Sequence, residues 1–231
     1  FASRTMITSN FEDLSNLTAE QIPLPTSDVA MEIVSDSTDD NFSGTGARTI
    51  LVVSLDDDFV ETISIFELGG VTPQNVITNS GSGVRRINTF LVQSVGTIRG
   101  AATGTIVIRD KNNPSIIYSQ IDPGENSSAQ TLFTVPENTQ VSFAGWYASA
   151  STIVKTIEFR LQTTFNQQDD INVPGIFTTR DKMTLREQGL YKGFSIPVVL
   201  PTRADIIINA KVLGGGNGTG EASYQFFIQR S

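Results

Sequence analysis

The side chains that carry most hydrolytic and metal chemistry are missing from this sequence, whose 231 residues contain no His and no Cys. A Ser-His-Asp or Cys-His nucleophile needs an imidazole base, and zinc sites lean on imidazole and thiolate, so both are excluded. Disulfides are excluded as well, although a Cys-free chain is stable in either redox environment. Carboxylate is what remains, in the clusters Asp39-Asp40, Asp56-Asp57-Asp58 and Asp169-Asp170. Two carboxylates across a sugar site suffice for glycoside hydrolysis, and hard oxygen ligands suit Ca²⁺. All three clusters stand in turn-like segments, where Asp caps backbone amides, and none has EF-hand spacing. Solvated turns are the leading reading and a structural ion the lesser one. No catalytic, cofactor-binding or metal residue is assigned.

Other conspicuous stretches read in the same way. Gly214-Gly215-Gly216-Asn217-Gly218-Thr219-Gly220 lacks the Lys-Ser/Thr that completes a phosphate loop, and its place between two strands reads as a flexible hairpin. Arg180, Lys182, Arg186 and Lys192 form a local basic stretch, which fits a solvated face better than a docking patch. Trp146 and Tyr147 are neighbours in a strand-like run, so one should enter the core while the other lies on the sheet surface or at an interface.

The elements that would position these residues are strands. From Val29 onward, short β-branched runs alternate with Gly, Pro, Asn and Asp punctuation. The spacing predicts strands at Val29–Val34, Ala47–Ser54, Phe59–Glu67, Gln74–Thr78, Arg86–Ser94, Gly104–Asp110 and Ile116–Ile121. Leu55-Asp56-Asp57-Asp58 reads as a hairpin connection. A second series shows period-two alternation at Ile157, Phe159 and Leu161, at Ala204–Val212, and at Tyr224, Phe226 and Ile228. Helical turns have a modest claim only at Phe11–Leu14 and Asp181–Leu190. The expected fold is all-β, with two antiparallel β-sandwich (jelly-roll-like) domains at 29–122 and 123–231, divided near the breaker Asp122-Pro123-Gly124-Glu125.

Residues 1–28 cannot build a core of their own and carry the extended Pro23-Leu24-Pro25, so they read as an N-terminal arm. Phe1, Met6, Ile7, Phe11, Leu14, Leu17, Ile22 and Leu24 are nevertheless too many apolar groups to leave in water. They are expected to be buried against a neighbouring subunit or shell protein, and with Trp146 and Tyr147 they form the candidate interface set. The net charge of −8 disfavours nucleic acid and anionic lipid as partners. The longest apolar runs, such as Ile50-Leu51-Val52-Val53, are strand-sized and far short of a membrane-spanning helix.

Several segments together resemble a family of virion structural proteins of marine phages, seen also in some large DNA viruses. They are Ser35-Asp36-Ser37-Thr38-Asp39-Asp40, Gly44-Thr45-Gly46-Ala47-Arg48-Thr49-Ile50-Leu51-Val52, Leu55-Asp56, Thr72-Pro73 and Arg86-Ile87-Asn88. Gly100-Ala101-Ala102-Thr103-Gly104-Thr105-Ile106, Thr134-Val135-Pro136-Glu137, Gly145-Trp146-Tyr147-Ala148-Ser149 and Leu200-Pro201-Thr202-Arg203-Ala204-Asp205-Ile206 continue the pattern. Asp57-Asp58-Phe59 and Glu67-Leu68-Gly69-Gly70-Val71 depart from it. The Gly-Thr-Gly turn is expected to use the positive φ that Gly permits, and Arg48 to pair with Asp39 or Asp40.

The resemblance implies a non-enzymatic virion component without cofactors, located at the particle surface. The expected role is capsid decoration or a head fibre, with the major capsid protein or other virion proteins as partners and a homo-oligomer, preferably a trimer, as the assembly. A tail or baseplate component, and a carbohydrate-binding module, are the alternatives.

Overall fold

The computed structural model describes residues 2–78, 81, 83–151, 155–164 and 176–230, and among these residues every regular element is a strand. In chain order they begin with β1 (Ala2–Ile7) and β2 (Glu12–Asp13). Then come β3 (Met31–Ser35), β4 (Ala47–Leu55), β5 (Glu61–Glu67), β6 (Gln74–Val76), β7 (Arg86–Val95), β8 (Ile106–Asp110) and β9 (Ile117–Ile121). The last group is β10 (Phe133–Thr134), β11 (Thr139–Ala150), β12 (Thr156–Thr163), β13 (Thr178–Leu185), β14 (Gln188–Leu200), β15 (Asp205–Leu213) and β16 (Gly218–Arg230). All pairings between strands are antiparallel.

The chain divides into two compact units, and the division is not sequential. One unit joins Phe1–Ile22 to Ala129–Ser231, and the other is the inserted stretch Pro23–Ser128. The expected boundary at Asp122–Glu125 is instead a turn inside the inserted unit, with Gly124 at φ 85°. Beyond it the Val92 amide still donates to Asn126 O and the Ser128 amide to Phe90 O before the chain leaves.

The inserted unit holds a four-stranded sheet, β6-β3-β8-β9, and a three-stranded sheet, β5-β4-β7. Its core draws Met31, Ile33, Ile106 and Ile108 from the first sheet and Ile50, Val52, Ile87 and Phe90 from the second. β3 is buried along its whole length as a central strand, and its Glu32 is neutralised by cross-strand Arg109 at 2.7 Å. The seven strands here follow the alternation and punctuation of the sequence closely. The β4–β5 hairpin is the expected Asp turn: Asp56 Oδ1 accepts from the Asp58 and Val60 amides, and Phe59 takes φ 60°. Asp57 is not merely solvated, because it pairs at 2.8 Å with buried Arg85, whose guanidinium lies 4.7 Å from the Phe59 ring centre.

The terminal unit holds the sheet β1-β16-β11-β14 and the sheet β10-β15-β12-β13, with β2 also on β15. Phe143, Trp146 and Ala148 of β11 meet Ile157, Phe159 and Leu161 of β12 and Ile206, Ile208 and Ala210 of β15 in one core. Three sequence expectations are corrected here. Residues 1–22 are not an arm: β1 pairs with β16 and β2 with β15, closing both sheets of this unit. The apolar side chains that demanded cover find it in their own chain, where Ile7, Leu14, Leu17 and Ile22 are buried. Neither proposed helical turn forms, since Phe11–Leu14 contributes β2 and Asp181–Leu190 is shared between β13 and β14. The glycine-rich stretch is not a hairpin either, because β15 and β16 lie in different sheets. Gly214, Gly215 and Gly216 all take positive φ, 79–87°, and this left-handed run carries the chain across.

Candidate interaction surfaces

Three segments of the inserted unit, Ser35–Asp40, Gly44–Ala47 and Thr103-Gly104, meet at Asp40. Its carboxylate is fully buried and accepts from Ser35 Oγ at 2.7 Å and from the amides of Ala47, Thr103 and Gly104 at 2.8 Å each. A carboxylate supplied with this many donors is satisfied without a counter-ion. Arg48 accordingly does not pair with it; the guanidinium donates to Gly44 O at 2.9 Å. Gly44 and Gly46 are absent from the positive-φ glycines, so their expected conformational role is also corrected. They are required by close approach: a Cβ on Gly46 would lie 2.3 Å from Asp40 Oδ1, and one on Gly44 would lie 2.1 Å from Asp39 O. The motif is thus a buried polar clasp that ties the loop before β4 to the loop before β8.

Its chemistry is structural. Both Asp40 oxygens are consumed by protein donors, Asp56 is engaged in its turn, and no group of three or more candidate metal ligands occurs among the described residues. Asp169-Asp170 lies outside the described residues.

The feature that points outward is the far side of β5-β4-β7. Leu51 of β4 sits between Ile65 and Leu91, and Val53 sits between Ile63 and Thr89. Ile63 and Ile65 are 58% and 56% exposed. No titratable group interrupts these two rows; Glu61 and Glu67 stand at the two ends of β5. Such a contiguous apolar patch offers one kind of chemistry, burial against another apolar surface. Nothing in the spacing marks this face as outward, because Ile63 and Ile65 alternate with polar residues in the pattern a core-facing row also shows. The signal lay in Phe66, which is in phase with Thr62 and Ser64; that is the face turned inward, with Thr62 buried and Phe66 packed on the core.

The candidate interface residues fall elsewhere. Phe1 lies outside the described residues, and only the backbone of Met6 is described. Ile7, Leu14, Leu17 and Ile22 are interior, while Leu24 is half-buried. Phe11 is covered by its own unit, with the Arg160 guanidinium 3.7 Å and the Lys211 ammonium 4.5 Å from its ring centre. Trp146 is buried and donates through Nε1 to Asp181 at 3.0 Å, so it is core and not available to a partner. Asp181 also receives Lys192 Nζ at 2.6 Å. Burial would raise its carboxyl, but the Lys192 and Trp146 hydrogen bonds, the Lys182 amide and the Lys192 charge hold it below the usual range. Of the basic stretch, Lys192 is therefore spoken for, and at the exposed positions of β13 Arg180 Nε donates to Thr163 Oγ1 at 2.7 Å while Lys182 Nζ lies 3.9 Å from Glu158. Trp146 and Tyr147 divide as strand neighbours should, Trp146 in the core and Tyr147 half-buried on the outer face of β11, opposite exposed Tyr191.

No protein-family model matches the chain, and a search of curated proteins returns no match.

Proposed function

We propose that this chain is a non-enzymatic structural component of a virus particle, a capsid-bound decoration or head-fibre protein. In this reading each unit is a β-sandwich of two antiparallel sheets, and the chain acts through protein contacts with the shell or with its own copies. The observation that carries the reading is the exposed apolar face formed by Leu51, Val53, Ile63, Ile65 and Leu91. A surface of this kind is stable in solution only when small, and it gains about 25 cal/mol for each Å² of apolar area hidden by a partner. The polar residues support the same role. The buried carboxylate Asp40 is spent on holding loops, and the chain has neither imidazole nor thiol to run acid–base or nucleophilic chemistry.

The test is the protein composition of purified particles of the virus that encodes the chain, by quantitative mass spectrometry. A fixed, symmetry-related copy number is expected. Absence from washed particles would overturn the assignment.

A further inference from the structure

The outer face of the sheet β1-β16-β11-β14 carries an arrangement unlike that of the apolar face on the inserted unit. Tyr147 and Tyr191 are direct cross-strand partners on β11 and β14, and each ring leans over glycine on the opposite strand. A Cβ on Gly189 would meet Tyr147 Oη at 2.1 Å and Cζ at 2.8 Å. A Cβ on Gly145 would meet Tyr191 Oη at 2.7 Å, and one on Gly193 would lie 3.4 Å from its Cε1. Glycine under each ring lets both aromatic groups lie down along the sheet, as aromatic residues do when they cover glycine on an edge strand. Tyr191 is 54% exposed, and its hydroxyl donates to Gln225 Oε1 at 3.2 Å.

Among the described residues the side chains in register with the two tyrosines are polar and none is cationic, while exposed Phe227 and Val199, both in register with Ser142, form the apolar end of the same face. Ser223 is in register with Tyr147, and Ser149 lies two residues along β11 and bonds Glu221 Oε2 at 3.4 Å. Lys192, which follows Tyr191 in β14, belongs to the opposite side of the strand, where it is held by Asp181. An anionic ligand would meet Glu221 without a compensating charge. An apolar protein surface would strip water from Gln225, Ser149, Ser223 and Glu221 without replacing their hydrogen bonds. A neutral sugar chain satisfies both demands, because its C–H faces stack on aromatic rings while its hydroxyls both donate and accept.

We infer that the outer face of β16-β11-β14 is a binding platform for neutral carbohydrate, with Tyr147 and Tyr191 as its stacking surface and Gln225 and Glu221 as its hydrogen-bonding margin. This does not rest on the particle reading and would hold for any protein with this sheet.

Saturation-transfer NMR on the full chain tests it, with cello-, malto-, laminari- and chitohexaose as probes at about 5 mM, enough to detect millimolar affinity. At least one hexaose should bind, and Tyr191→Ala and Tyr147→Ala should each weaken binding about tenfold. Gly189→Ala, whose methyl group displaces the Tyr147 ring while leaving it in the chain, should weaken binding as well. Binding by none of the four probes would overturn the inference. So would binding that survives Tyr191→Ala unchanged, a variant at an exposed position that does not depend on refolding the core. If Tyr191→Ala alters self-association and no hexaose binds, the face is a protein contact instead.

Discussion

Asp40 shows how far a residue's role can depart from its local sequence. In the run Asp39-Asp40 it reads as one more turn acid, yet it is fully buried, because the donors that surround it come from residues as distant as Thr103 and Gly104. Nothing in the local pattern announces a contact over sixty residues long. Removing the acceptor strands several buried amides at about 1–3 kcal/mol each. Asp40→Asn, which turns one oxygen into a donor facing other donors, should destabilise the inserted unit by more than about 2 kcal/mol in urea unfolding. Asp13 makes a pH-dependent prediction. Burial pushes its carboxyl up to about 6, against the opposing effects of the Ile22 amide and Arg4. An acid raised in this way holds its proton longer in the folded than in the unfolded chain, so stability falls as pH rises from about 4 through 6. Asp13→Asn should remove that fall, worth on the order of 2–3 kcal/mol, in melts compared across this range. An identical pH profile in wild type and variant would contradict the buried placement. Neighbouring Glu12 behaves oppositely: burial would raise it, but hydrogen bonds from Thr8 and the Arg4 guanidinium hold it low.

Among the elements, strands bounded by turn residues were legible, whether half-buried like β4 or buried on both faces like β3. β4, β7, β8 and β12 alternate and are flanked by turn residues, and the structure puts them where the pattern does. β14 is exposed on both sides over most of its length, so it has no alternation to read, and only its first residues, Gln188–Leu190, fell in the stretch read as a helical turn. β2 is too short to carry a period at all, and a register shift between Arg4 and Ile7 interrupts that of β1. Their apolar residues did signal burial, but a sequence pattern cannot say whether the cover is another chain or a distant strand of the same one. The structure supplies β16 and β15, together with Arg4, which bonds Glu12 and the carbonyls of Leu17 and Ala19. Deletion of residues 1–22 uncovers Ile7, Leu14, Leu17 and Ile22, each worth about 1.5–3 kcal/mol when fully buried. That total rivals the whole stability of a typical domain. The truncated chain should lose the cooperative melting of the terminal unit, as followed by near-ultraviolet circular dichroism of Trp146. A melting temperature matching the full chain would contradict the pairing of β1 and β2.

On the scale of the molecule, the discontinuous unit was hidden because the strongest breaker, Pro123-Gly124, is an internal turn, while the exit at Ser128–Ala129 carries little punctuation and Pro23 and Pro25 mark the other exit without showing where the residues before them pack. Insertion requires the two ends of Pro23–Ser128 to lie near one another, and both are anchored on β7. Arg86 Nη1 donates to Pro25 O at 2.7 Å, and Ser128 N donates to Phe90 O at 2.9 Å. Four residues of strand separate these anchors, about 13 Å. Excised residues 23–128, with a core of their own, should therefore fold alone and give dispersed amide NMR resonances. The charge follows the same division: the inserted unit has thirteen Asp/Glu against six Lys/Arg, net −7, and the terminal unit is nearly balanced at eleven against ten. The acidic unit also carries the face formed by Leu51, Val53, Ile63, Ile65 and Leu91, and the claim that this face docks the protein is the centre of the account. Its most direct measurement is competition between wild type and the Ile63→Lys/Ile65→Lys double variant for incorporation into assembling particles. Both positions are exposed, so the variant should melt within about 0.5 kcal/mol of wild type per substitution. It is predicted to be excluded from particles that take up the wild type. Incorporation of the variant at the wild-type level would contradict the account.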